Sequence, residues 1–153
     1  MKECLHKATE YAETLDEVFD RIIAVFRAFD PGGPSRKFWS VSGVITSHGD
    51  VAENLVRMAN RAEAIKQLSG ESVFAPTCVF SAALVEKLQA NRRYRHEDWM
   101  VFWIRVIRSG YVGAVVVTPL WERSRGADTE YAIARNLGLA IYYYDDVDLF
   151  ALE

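Results

Sequence analysis

Residues 111–145, YVGAVVVTPLWERSRGADTEYAIARNLGLAIYYYD, contain two short apolar runs on either side of a polar segment. This pattern predicts a buried strand, a polar turn, a helix and a second buried strand, at 113–118, 119–126, 127–137 and 139–144. Both runs are rich in β-branched or aromatic residues and are bounded by Gly, Pro and Asp, which is typical of strands buried on both faces. Two such strands joined through a helix form a right-handed βαβ unit with parallel strands.

The rest of the chain continues this alternation. It predicts an amphipathic helix, a strand, a helix, a short strand, a short helix, a basic connector and a buried helix, at 9–29, 38–45, 51–68, 73–75, 81–90, 91–96 and 99–107. We therefore expect an α/β protein with a three-layer, doubly wound, flavodoxin-like or Rossmann-like parallel sheet of four to five strands. Residues 1–34 form an extra N-terminal helix and a Pro/Gly linker in this interpretation, and 35–153 form the α/β domain. The N-terminal helix either docks on its own core or is a dimerisation surface.

Composition excludes several classes of function. The length of 153 residues suits one domain, and a net charge of -3 gives no basic footprint for duplex nucleic acid. No apolar run approaches the ~20 residues that span a bilayer, and the N-terminus has no apolar signal-peptide core, so we expect a cytoplasmic protein without a membrane partner. Cys4 and Cys78 lie far apart and the three His are scattered. This spacing predicts reduced thiols, no metal site and no cofactor.

Ligands of open parallel sheets bind at the carboxyl ends of the strands, beside helix N-termini. Here that position is predicted for the segment from Trp121 to Glu130. Gly126 allows a tight turn, and the N–H groups of residues 127–129 would favour an anion or a ligand oxygen. Glu130 is placed in the first helical turn, where its carboxylate could point back toward the strand ends. A carboxylate in a first turn can also simply complement the helix dipole, so the pattern alone leaves both readings open.

The run Ser124-Arg125-Gly126-Ala127-Asp128-Thr129-Glu130, with Ala134, Leu137 and Gly138 after it and a Val-Val-Val strand before it, resembles the nucleoside 2-deoxyribosyltransferase superfamily. The similarity extends more weakly to residues 41–46 and 73–76, and it covers about residues 37 to 145. It is closest to uncharacterised sister families of the deoxyribosyltransferases and of the 2'-deoxynucleoside 5'-phosphate N-hydrolases.

The resemblance implies a role for each matching residue. Glu130 matches the nucleophile that attacks the anomeric carbon of the sugar. Ser124 matches a position that contacts the sugar or its 5' substituent, and Gly126 matches the glycine of the same loop. Ser42 and Gly43 match the segment that cradles the nucleoside. The implied partners are a nucleoside or nucleotide and further copies of this chain in a homodimer or higher homo-oligomer, since a neighbouring subunit completes the pocket in relatives.

A second acid should protonate the departing base. The family usually has one Asp at the strand start, where this chain has Gly113, and another on the preceding helix, where it reads WMVFWIR. The nearest remaining candidates are Asp98 and Asp128. Asp128 is two residues from Glu130, so the two would not face each other on a regular helix.

Two further residues could contact a substrate. His48 could bind a phosphate or a sugar hydroxyl, or be a solvated turn residue. Trp121 could stack on a base. The sequence thus predicts an N-glycosidic bond hydrolase or transferase for (deoxy)nucleosides or their 5'-monophosphates, or, in the alternative, a nucleotide-binding module of the same fold without catalysis.

Overall fold

The computed structural model describes residues 1–152 and has an α/β fold with one five-stranded, mostly parallel sheet and helices on both faces. In chain order the elements are α1 Lys2–Thr9, α2 Leu15–Phe29, β1 Phe38–Ser42, α3 Val51–Ser69, β2 Ser72–Phe74, α4 Pro76–Val79, α5 Ala82–Arg92, α6 His96–Ile107, β3 Val112–Val117, a short 3₁₀ turn Trp121–Arg123, α7 Arg125–Asn136, β4 Ala140–Tyr144 and β5 Leu149–Leu152.

The strand order is β2-β1-β3-β4-β5, and β1 to β4 run parallel. The prediction that residues 111–145 form a parallel βαβ unit is confirmed, because Val115 of β3 pairs with Ile141 of β4 on either side of α7. The chain goes from β1 outward to β2 and then returns past β1 to β3. This reversal lies between β1 and β3, at the edge where the parallel strands finish and where open parallel sheets bind their ligands. We call this the carboxyl edge of the sheet.

The N-terminal helix α2 docks on the core of its own chain. The ring of Phe26 stacks on Phe38 of β1, with 4.5 Å between ring centroids, and packs against Phe74 of β2 at 5.1 Å. Phe26, Phe38 and Phe74 are fully buried. Met58 of α3 belongs to the same core but approaches the sheet near Gly43, on the opposite face. The N-terminal helix therefore docks on the core of its own chain, which was one of the two interpretations.

Several predicted boundaries are wrong. The helix expected at 9–29 begins only at Leu15, because Thr14 caps α2 by accepting a hydrogen bond from the Glu17 N–H at 3.1 Å, and a separate helix, α1, was not predicted. The first strand ends at Ser42 rather than at residue 45. A fully parallel sheet was expected, but β5 pairs antiparallel to β4 and was not predicted at all. Helix α7 begins at Arg125, two residues earlier than expected.

One buried ion pair joins α3 to the turn after β4. The Nε and Nη2 atoms of Arg61 donate to the two carboxylate oxygens of Asp146, the second at 2.7 Å. Arg61 is only 8% exposed, whereas about half of the Asp146 side chain is accessible. This bidentate pair holds the turn between β4 and β5 against α3 at the carboxyl edge.

Within residues 1–152, no helix is both long enough and apolar enough to cross a membrane.

Candidate functional site at the carboxyl edge

Glu130 is the carboxylate of the candidate site at the carboxyl edge of the sheet. It lies in the second turn of α7, and its half-buried side chain faces Ser42 at the end of β1. Burial raises the pKa of Glu130 to about 7, although a hydrogen bond from the Ser42 side chain lowers it in part. Because the helix-dipole effect is concentrated in the first turn, which Asp128 occupies, that effect does not account for the position of Glu130.

Ser42 is held in place by the end of β3. The backbone N–H of Thr118 donates to the Ser42 carbonyl at 3.1 Å, and the Thr118 hydroxyl donates to the same oxygen at 3.2 Å. A Cβ atom on Gly43 would overlap the Thr118 hydroxyl and would come within 3.3 Å of the Met58 methyl group. Only glycine therefore fits at residue 43, and β1 and β3 approach each other closely beside Glu130.

The N-terminus of α7 differs from the expected anion site. The Ser124 hydroxyl accepts a hydrogen bond from the Ala127 N–H at 3.2 Å, and the Ser124 carbonyl accepts from the Asp128 N–H at 2.9 Å. The expectation that the N–H groups of Ala127 and Asp128 are free is therefore wrong. Since the helix begins at Arg125, the first-turn N–H groups without an intrahelical acceptor are those of Arg125 and Gly126.

Gly126 lies inside the first turn of α7 rather than in a tight turn before it, so its expected conformational role is wrong. The nearest atom to a Cβ built at this position is the Ser124 hydroxyl oxygen, at an ordinary contact distance of 3.9 Å. The chain itself therefore has room for a side chain here.

The loop between β1 and α3 carries His48, whose side chain is exposed. Asn54, buried in the first turn of α3, shapes this loop by donating from its Nδ2 atom to the Ile45 carbonyl at 2.9 Å and to the His48 carbonyl at 2.6 Å. The loop conformation is thus fixed from beneath, while the imidazole stays accessible. Asn54 and Thr118 are the two residues that the sequence analysis missed.

The two candidate second acids have different surroundings. Asp98 accepts a hydrogen bond from the Arg95 N–H at 2.8 Å and so caps α6, and Asp128 is exposed on the first turn of α7. Gly113 lies at the start of β3, in a bulge at the opposite edge of the sheet, where a Cβ would overlap the Arg36 carbonyl oxygen. An acid at residue 113 would therefore be excluded by packing and would be far from the carboxyl edge.

Trp121 packs on Tyr131 of α7, with 4.5 Å between ring centroids. It also lines a cavity of about 280 Å³ together with Leu120, Glu122, Tyr143 and Leu152. The strand order places this cavity toward β5, whereas Ser42 is on β1. Neither Ser42 nor Glu130 lines this cavity. A second cavity of about 540 Å³ runs beside β2 and is also not lined by Glu130.

No group of three or more His, Cys, Asp or Glu side chains is arranged to hold a metal ion in the part of the chain that the structure describes.

The fold and site together define an α/β protein with a half-buried carboxylate at the carboxyl edge, between the first strand and the helix after the third. Residues 40–143 match the model of a family described as Domain of unknown function (DUF4406). This match spans β1 to β4 and covers more than half of the chain, and the chain belongs to this family. No curated protein and no solved structure matches the chain.

Proposed function

We propose that this protein cleaves or transfers the N-glycosidic bond of (deoxy)nucleosides or their 5'-monophosphates, with Glu130 as the nucleophile. The observation that carries the proposal is the half-buried Glu130 carboxyl, facing Ser42 at the carboxyl edge with a pKa of about 7. The resemblance of the surrounding run to the nucleoside 2-deoxyribosyltransferase superfamily supplies the reaction.

The strand order supports the finer fold assignment that this function needs. In a doubly wound, Rossmann-like sheet the ligand lies where the chain reverses direction. Here the reversal lies between β1 and β3, where Ser42, Gly43 and Thr118 meet. We therefore assign the three-layer architecture and place the substrate at the carboxyl edge, where the chain reverses between β1 and β3.

In the proposed reaction a Glu130 carboxylate oxygen forms a bond to C1' as the bond from C1' to the base nitrogen breaks. The electron pair of that bond leaves with the base nitrogen, which takes a proton from an acid or from water. Water or a second base then attacks C1', and the ester to Glu130 breaks with overall retention of configuration. The raised pKa leaves a substantial ionised fraction at neutral pH while keeping the carboxylate a stronger base than an exposed one.

The direct test is Glu130→Gln, which keeps the side-chain shape and removes the charge. We expect base release from nucleosides and monophosphates, measured by chromatography, to fall by more than about a thousandfold. Glu122→Gln removes an exposed carboxylate from the preceding turn and is the matched control. Equal base release by both variants would refute the nucleophile assignment.

The pH dependence of base release tests the ionisation state. A nucleophilic carboxylate must be ionised, so kcat/KM should rise with pH, bend near pH 7 and then stay level. A profile that falls through pH 7 would instead make Glu130 a proton donor. The measurement is kcat/KM across about pH 5 to 9.

A non-catalytic nucleotide-binding module is the second candidate. The observations that favour it are the hydrogen bond that engages Asp98 in a helix cap and the exposure of Asp128 to solvent. Measurable binding of nucleoside monophosphates by calorimetry, with no base released from any of them, would select this candidate.

We also propose that the protein works as a homodimer or higher homo-oligomer. The support for this proposal is the resemblance, because a neighbouring subunit completes the pocket in relatives of that superfamily, and Glu130 does not line the cavities of about 540 and 280 Å³. Light scattering of the full chain measures the oligomer, and a monomer with full activity would reject this part of the proposal.

A further inference from the structure

Thr118 makes more hydrogen bonds to the end of β1 than the sheet requires. The pairing of β1 with β3 reaches Ser42 and Val117, and Thr118 lies one residue beyond it. Its N–H and its hydroxyl both donate to the Ser42 carbonyl, at 3.1 Å and 3.2 Å, and the residue is fully buried. One carbonyl thus takes two hydrogen bonds from a single residue, which fixes the peptide after Ser42 more firmly than one bond would.

Gly43 allows β1 to come close to the Thr118 side chain. Because the Thr118 hydroxyl occupies the space of a Cβ at residue 43, β1 can bring its last residue against β3 only with glycine there. Side chains alternate along a strand, so Ser42 and Gly43 address opposite faces of the sheet. Ser42 lies on the α7 face of the sheet, where its side chain lowers the pKa of Glu130 in part, while the Thr118 hydroxyl lies on the face of Met58.

We infer that Thr118 is a positioning residue of the proposed site, which holds the end of β1 so that the Ser42 hydroxyl meets the Glu130 carboxyl. Thr118 itself does not touch Glu130 and works through Ser42. This inference deepens the proposed function, because the orientation of Glu130 matters to the reaction only if that carboxyl attacks the sugar. The test requires no substrate, so its outcome is independent of whether the protein releases base from nucleosides.

Ser42 is the uncharged partner of Glu130 whose effect on the Glu130 pKa the experiment tests. On α7 itself Asp128 is exposed, and on the neighbouring helix α6 Asp98 is engaged in the helix cap. Ser42 faces Glu130 from β1, and the nearest part of β3 carries Val117 and Thr118, which have no charge. Substitution of Thr118 by an uncharged residue therefore changes the hydrogen bonds near Glu130 without changing any charge.

The experiment is titration of Glu130 by carbon NMR in the full-length protein labelled at the glutamate carboxyl carbons, with Glu130→Gln used to assign the resonance. Thr118→Val keeps the side-chain shape and removes the hydroxyl. We expect it to move the Glu130 midpoint upward by about half a pH unit, because a loosened Ser42 stabilises the carboxylate less. Thr118→Ser keeps the hydroxyl, and should leave the midpoint near that of the unaltered protein.

The matched control is Thr9→Val. Thr9 is equally buried, and its hydroxyl also donates to backbone carbonyls, those of Leu5 and Val79, both at 2.9 Å. Thr9→Val should lower stability to urea about as much as Thr118→Val but leave the Glu130 midpoint unchanged. An unchanged midpoint in Thr118→Val, or an equal shift in both Val variants, would overturn the positioning role. If Thr118→Val does not fold, an unshifted midpoint in Ser42→Ala refutes the inference, because the inference requires the Ser42 hydroxyl to act on Glu130.

Discussion

At the level of single residues, the burial of Glu130 makes the stability of the folded protein depend on pH. A carboxyl that is pushed up to a pKa of about 7 by burial is costly to ionise inside the folded protein. The unfolded chain has no such cost, because there the carboxyl titrates near its ordinary value of 4.5. The folded state therefore holds a proton between these two pH values that the unfolded state has lost.

This difference gives a prediction for stability. As pH rises from 4.5 to 7, the unaltered protein should lose up to about 1.4 kcal/mol of stability per pH unit from Glu130, with no further loss above pH 7. Glu130→Gln has no proton to lose, so it should be more stable than the unaltered protein by about 1–3 kcal/mol at pH 8 relative to pH 5. Urea unfolding at the two pH values measures this, and pH curves that run parallel for both proteins would contradict it.

A second prediction concerns Gly126. Because a Cβ meets nothing closer than the Ser124 hydroxyl oxygen at 3.9 Å, Gly126→Ala should fold and gain up to about 1 kcal/mol from the better helix propensity of alanine. The added methyl group would lie beside the free N–H groups of the first turn, so nucleotide affinity measured by calorimetry should fall. Affinity equal to that of the unaltered protein would mean that no ligand approaches this turn.

At the level of helices and strands, the sequence predicted the elements that have strong local patterns. Strands β3 and β4 were found because their apolar runs are bounded by Gly, Pro and Asp. Strand β5 was missed because Leu149–Leu152 is only four residues long, is largely exposed, and takes its strand conformation from pairing with β4. The break before α2 was missed because the apolar spacing continues across it, although Thr14 and Glu17 carry a recognisable cap signal.

The candidate site was predictable only where it follows a motif. The run from Ser124 to Glu130 placed the carboxylate on the correct helix. Thr118 could not be found in this way, because its role depends on the register between β1 and β3, which no local pattern specifies. The only sequence feature that pointed to Asn54 is that it is a polar residue on the buried side of a helix.

The link between α3 and the turn after β4 gives a prediction at this level. Asp146→Ala would leave the guanidinium of Arg61, only 8% exposed, without its carboxylate, and should cost about 2–3 kcal/mol. Asp16→Ala breaks the exposed pair with Arg105 and should cost less than about 1 kcal/mol. Urea unfolding compares the two variants, and similar costs would show that burial of Arg61 is unimportant.

The same pair has a defined pH dependence. The hydrogen bonds and charge of Arg61 hold the pKa of Asp146 below its ordinary value of 3.8. The stabilisation is therefore complete above that value and is lost as pH falls below it, through the lower pKa of the folded state. The stability difference between the unaltered protein and Asp146→Ala should accordingly shrink in this acid range.

For the molecule as a whole, the N-terminal helices belong to the core although the family match begins only at residue 40. Phe26 contacts aromatic rings of β1 and β2 and also Tyr111, so one side chain of α2 ties together segments that are distant in sequence. Phe26→Ala should cost about 3–5 kcal/mol. Phe29→Ala, at a position 41% exposed, should cost much less, and equal midpoints in urea would show that α2 is dispensable.

The close approach of β1 and β3 links two positions 75 residues apart in the chain. A relative that acquires a side chain at the position of Gly43 would need to lose the hydroxyl at the position of Thr118 in compensation. The two positions should therefore vary together across related sequences, with glycine paired with threonine and larger residues paired with alanine or glycine. An alignment in which bulky residues occur at both positions at once would mean that β1 and β3 lie farther apart beside Glu130 in those proteins.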